Sequence, residues 1–185
     1  MVVLGDSLSA GLGLAESAAF PARLQKALKD NGIDVDIVNA GVSGDTASGA
    51  RERLDWSVPE GTDAVIVELG GNDALRGIDP NITREALSDI VRRLKARKIA
   101  VMMCGMLAPR NNGPDYAARF DAIYPDLAAS FSVPLYPFFL EGVAANASLN
   151  QADGIHPSAE GVDVIVKKIL PTVLTFLGSI KGQHS

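Results

Sequence analysis

Apolar residues fall in two alternating patterns along this chain. Short, near-continuous runs lie at Val2–Leu4, Val35–Val38, Ala64–Leu69, Ile99–Met103 and Val133–Tyr136. Between them, apolar positions recur every three or four residues, the spacing of one helix face. In Thr83–Arg97 the face is Ala86, Leu87, Ile90, Val91 and Leu94. A second helix is predicted after Pro21 from Ala22, Leu24, Ala27 and Leu28, because proline suits a first turn. Asp115–Ser130, with Phe120, Ile123 and Leu127, predicts a third. Val162–Leu177 predicts the last, and Pro171 within it should kink or split it. Strands apolar on both sides, each followed by a helix, imply a parallel sheet covered on both faces. The expected architecture is an α/β fold, a three-layer α/β/α sandwich on a five-stranded parallel sheet. No repeat or linker divides the chain, so residues 1–178 read as one domain, with a polar, flexible tail at 179–185 that includes His184.

Polar and glycine-rich segments follow the strands: "GDSLSAG" the first, "NAGVSGDT" the second, "GGNDALRG" the third and "MLAPRNNGPD" the fourth. In parallel sheets, ligands bind outside the carboxyl ends of the strands. Three familiar glycine motifs do not fit. A P-loop needs Lys followed by Ser or Thr after its last glycine, and none is present. A dinucleotide fingerprint needs a third glycine where "GLGLAE" has Glu16. The G-x-S-x-G elbow fails because Ser9 follows Leu8.

Composition removes further classes. The 185 residues are 47% apolar and 21% charged, with net charge −5, an ordinary globular balance. No basic tract marks a nucleic-acid partner, and "RRLKAR" at Arg92–Arg97 reads as a solvated helix face. The single cysteine, Cys104, excludes an internal disulfide and sits in "IAVMMCGM" as a core thiol. No His or Cys spacing suggests a metal site, and no cofactor motif stands out. No apolar window is long enough to span a membrane, and no signal peptide is visible. A complete cytosolic protein and a mature domain without its leader both remain open.

Serine becomes a useful nucleophile only beside a base, usually a histidine oriented by a carboxylate. Ser7 follows the first strand, and "ADGIHPSAEG" puts Asp153 three residues before His156. In a tight turn that carboxylate can fold back onto the imidazole. Such a pair can equally be an ordinary turn with a packed histidine. The oxyanion of a serine attack needs preset donors. The Ser7 backbone N–H, Gly44 and the Asn72 amide could supply them, although Gly44 alone could be a turn residue and Asn72 a cap. Asp6, Asp45 and Asp73 adjoin these blocks. They read mainly as structural capping residues, with an Asp-lined Mg²⁺ site for phosphoryl chemistry as the alternative.

The four blocks "GDSLSAG", "GVSGDT", "GGNDALRG" and "DGIHPS" resemble, in order and spacing, those of the SGNH (GDSL) hydrolase family. The branch closest in pattern is that of multifunctional thioesterase, arylesterase and lysophospholipase enzymes. The resemblance implies a flavodoxin-like sandwich and a cofactor-free serine esterase. Its catalytic residues would be Ser7, Asp153 and His156, and its oxyanion hole Ser7, Gly44 and Asn72. It also implies export to the periplasm or the cell exterior. The expected partner is a small-molecule ester or thioester, first of all short acyl and aryl esters. Lysophospholipids and acetylated carbohydrates are further candidates of the same mechanism, and an inactive ligand-binding module is the non-enzyme alternative. Met106, Leu107 and Tyr116 could line the acyl pocket or pack the core. Pro137–Leu149, with Phe138, Phe139 and Leu140, could form a second wall.

Overall fold

The structure, a computed structural model, describes residues 1–181, so His184 lies outside the described residues. Five parallel strands form one sheet: β1 (Val2–Gly5), β2 (Val38–Gly41), β3 (Ala64–Glu68), β4 (Ala100–Cys104) and β5 (Leu135–Tyr136), in the order β2-β1-β3-β4-β5. Every residue of β1 and β3 is buried, as both faces are covered. On one face lie α2 (Phe20–Asp30) and α9 (Ala159–Lys181), packed on each other. A second packed group contains α3 (Ala47–Glu52), α6 (Pro80–Ala96) and α8 (Ile123–Phe131). The expected three-layer α/β/α sandwich on a five-stranded parallel sheet is therefore the observed fold.

The predicted helix faces are those that bury. Leu24 and Leu28 of α2 are fully buried, as are Ala86, Leu87, Ile90, Val91 and Leu94 of α6. Cys104 is buried in the core. "RRLKAR" is partly engaged: the guanidinium of Arg93 pairs with Asp55, and that of Arg97 donates to the Val58 carbonyl at 2.6 Å.

Several boundaries differ from expectation. The second strand is Val38–Gly41 rather than Val35–Val38. It is an edge strand that pairs only with β1, and Val38 is half-exposed, so its position carries no hydrophobic signal. The single helix expected over Asp115–Ser130 is two, α7 (Pro114–Asp121) and α8, separated at Ala122. Pro125 has no N–H for the Asp121 carbonyl, which breaks the ladder at the join. The last helix is not split at Pro171 and runs unbroken from Ala159 to Lys181. Pro171 faces solvent, where water can serve the freed carbonyl, while Val166, Ile169, Val173 and Leu177 on the inner side are buried. Helix α9 also takes in Ser179–Lys181, the beginning of the expected flexible tail.

Candidate active site

The strand order reverses between β1 and β3: the chain leaves β1 for β2 on one side and returns to place β3 on the other. Such a switch point opens a crevice at the carboxyl ends of the strands. Ser7 stands there, at the first residue of α1 (Ser7–Ala10), immediately beyond β1. Asp6 caps this short helix, its Oδ1 accepting from the Leu8 N–H at 3.0 Å.

The histidine loop reaches the same point from the far end of the chain. Ser7 Oγ and His156 Nε2 are 2.8 Å apart across 149 residues of sequence. Asp153 fixes the ring from behind. Its Oδ2 lies 2.6 Å from His156 Nδ1, while its Oδ1 accepts from the N–H groups of Ile155 at 2.9 Å and His156 at 3.0 Å. These bonds hold the Asp153 carboxyl down at about 2, the histidine contact first among them. It is therefore an anion at any ordinary pH, and an anion at Nδ1 favours the tautomer that presents a bare Nε2 to the serine hydroxyl.

The loop is held by contacts outside the proposed triad. Asn150 and Pro157 form an antiparallel bridge, and the Gln151 N–H donates to the His156 carbonyl at 2.7 Å. The Gln151 side chain donates to the Leu12 carbonyl at 2.7 Å and to the Pro157 carbonyl at 3.0 Å. Gln151 thus ties the histidine loop to the segment after α1. Nothing in the sequence singles it out, because the contact spans 139 residues.

The other two sequence blocks converge on Ser7. Gly44 has φ +82°, a left-handed turn that a β-carbon would strain. Among the described residues, no protein acceptor meets the backbone N–H of Ser7 or of Gly44. Asn72 lies in α5 (Gly71–Leu75), just beyond β3. Its Nδ2 donates to the Asp45 carbonyl at 2.9 Å and to Asp6 Oδ2 at 3.1 Å. Arg76, which follows α5, donates to the Gly44 carbonyl at 2.8 Å and secures that turn. Three donors therefore cluster around the serine, with the Asn72 amide already engaged on two acceptors.

The neighbouring aspartates are each committed to a bond. Asp45 Oδ2 accepts from Arg53 Nε at 2.6 Å, in a pair almost entirely shielded from water. Asp73 accepts from the Ala47 N–H at 3.0 Å and from Thr83 Oγ1 at 2.9 Å. Burial pushes the Asp6 carboxyl up to about 6, against the opposing bonds from Leu8 and Asn72. Among the described residues no three His, Cys, Asp or Glu side chains are grouped to hold a metal ion.

The residues expected to line an acyl pocket separate. Met106 is buried in the core, Leu107 is 41% exposed, and Tyr116 is half-buried, its hydroxyl donating to the Ile78 carbonyl at 2.8 Å. In Pro137–Leu149, Phe139 is fully buried edge-on against Phe20. With Leu107, four apolar groups not singled out in the sequence are open to solvent near the serine blocks: Leu12, Val42, Leu75 and Ile155. Val42 precedes Gly44 by two residues, Leu75 ends the helix of Asn72, and Ile155 adjoins His156. They are spread singly over separate segments, so no run of sequence reveals them.

A serine hydroxyl on an imidazole backed by a carboxylate, with free amides beside it, can attack an acyl carbon and hold the oxyanion that results. On the three-layer parallel sheet, these blocks define a serine hydrolase of the SGNH type. The chain belongs to the GDSL-like Lipase/Acylhydrolase family, whose model matches residues 3–164, and it is an ester-hydrolysing enzyme of that family. It is similar to Esterase TesA of Pseudomonas aeruginosa, 40% identical over 96% of this chain and 89% of that protein. It is also similar to Thioesterase 1/protease 1/lysophospholipase L1 of Escherichia coli strain K12, 39% identical over 94% of this chain and 84% of that protein. The crystal structure of AlinE4, a SGNH-hydrolase family esterase, superposes with a TM-score of 0.80 at 44% identity, over 94% of each chain.

Proposed function

We propose that Ser7 is the nucleophile, His156 the general base and then the general acid, and Asp153 the group that orients the imidazole. The single observation that carries this reading is the 2.8 Å contact between Ser7 Oγ and His156 Nε2. In the first step Ser7 Oγ attacks the ester carbonyl and His156 Nε2 takes its proton. The Ser7 and Gly44 N–H groups and the Asn72 amide stabilise the oxyanion. Asn72 does so by yielding its longer bond, the 3.1 Å contact to Asp6. His156 then protonates the leaving alcohol or thiol, and water activated by the same ring releases the acid from the acyl-serine.

The substrates on this reading are short-to-medium acyl and aryl esters, with thioesters and lysophospholipids taken by the same chemistry. The exposed side chains of Leu75, Leu107 and Ile155 support an apolar acyl group at the crevice. The relatives' names, an esterase and a thioesterase/lysophospholipase, support the same range. The proposed setting is the periplasm or the cell exterior, as the family resemblance implies. Activity confined to the cytosol after fractionation of the source cells contradicts it.

The test is hydrolysis of a p-nitrophenyl ester series by wild type and Ser7→Ala. The substitution is expected to cut kcat about 10⁶-fold, to near background. Equal rates overturn the assignment of the nucleophile.

A further inference from the structure

Glu68, the last residue of β3, is fully buried beside the turn that carries Ser7. It pairs in register with Gly5 on β1, two residues before the serine. The reaction scheme above does not use it. Its Oε2 accepts from Ser9 Oγ at 2.6 Å. The fit is close. A β-carbon on Gly5 would stand 2.7 Å from Glu68 Oε2 and 2.2 Å from Ser9 Oγ. The glycine of "GDSLSAG" is therefore required by the carboxyl and hydroxyl packed against it. We propose that Glu68 is a positioning residue: it holds the chain on both sides of Ser7, packed on Gly5 before it and bonded to Ser9 after it, and so fixes the hydroxyl and leaves the Ser7 N–H free for the oxyanion. The proposal rests on the reading of Ser7 as nucleophile.

Glu68 acts as the neutral acid. Among the described residues its second oxygen, Oε1, is buried without a hydrogen-bond partner, which a carboxylate tolerates poorly. Burial and the neighbouring Asp6 carboxylate both favour the protonated form. A neutral acid offers one acceptor oxygen and one protonated group, and glutamine reproduces that pair in the same volume.

Glu68→Met, Glu68→Gln and Ser9→Ala test this with a p-nitrophenyl ester, together with stoichiometric labelling by a fluorophosphonate to count competent sites. Small displacements of a reacting group cost about 10²-fold in rate, so Glu68→Met is expected to lose kcat on that scale with KM unchanged and every site still labelled. Ser9→Ala should lose kcat in the same direction, to a smaller extent. Glu68→Gln should restore a near-native kcat. A purely structural role would lower the number of competent sites or the melting temperature and leave kcat per site intact. If Glu68→Met fails to fold, Ser9→Ala and Glu68→Gln decide alone. Native kcat per site in Ser9→Ala, or a Glu68→Gln as impaired in kcat as Ser9→Ala or worse, overturns the proposal. Full activity in Ser7→Ala would instead overturn the nucleophile assignment on which it rests.

Discussion

Single side chains at this site carry opposed demands. Asp6 caps α1 and accepts from Asn72, yet it is buried and its carboxyl is pushed up to about 6. A carboxyl raised on folding binds protons more tightly in the native state, so stability falls as pH climbs from the unfolded value toward about 6. The loss is complete above that and amounts to about 3 kcal/mol. Asp6→Asn is therefore expected to melt higher than wild type at pH 8, with the two curves meeting near pH 4. Thermal melts across that pH range check this, and a variant no more stable at pH 8 contradicts it. Asn72→Ala should lower kcat about 10²- to 10³-fold with little change in KM, as expected for a donor that acts on the transition state. Steady-state kinetics on one ester decide it, and a large rise in KM at normal kcat speaks against the role. Ser7, Gly44, Asn72, Asp153 and His156 were legible in the sequence because each stands in a short block at the end of a strand or loop. Glu68, Gln151 and Arg53 were not. Their importance lies in partners 59, 139 and 48 residues away.

Elements are joined at the crevice by one guanidinium. Arg53 lies at the junction between α3 and α4 (Leu54–Ser57). It donates to the Gly5 carbonyl at the end of β1, to the Ala40 carbonyl in β2, and to Ser57 Oγ, each at 2.9 Å. Its pair with Asp45 completes the clamp. Arg53→Met leaves Asp45 and two carbonyls without their donor in a site shielded from water. It should cost about 3 kcal/mol or more, read as a lower midpoint in a denaturant melt. A midpoint within error of wild type contradicts the clamp. At this scale, β1, β3, α2 and α6 were readable because both faces of those strands, or one full stripe of those helices, are buried. The edge strand β2 was not, since half its surface meets solvent and only pairing with β1 defines it. The break between α7 and α8 was written at Pro125, whereas Pro171 in α9 sits on the solvent side and leaves the helix whole.

The whole molecule solves a problem of distance. The proposed nucleophile and base are 149 residues apart, and no local preference brings them together. The parallel sheet does so, by opening its switch point beyond β1, while α9 follows the histidine loop and packs back onto α2. Chain order therefore named the residues that the fold gathers at the crevice, but not how the histidine loop is held, nor most of the exposed apolar groups near it. The most direct measurement is mass spectrometry of the intact chain and its peptides after reaction with a fluorophosphonate, for wild type and His156→Ala. One adduct per chain, on Ser7, is expected in the wild type, with labelling slowed by orders of magnitude when the imidazole is removed. An adduct on another residue, or equal labelling rates in the two proteins, would contradict it.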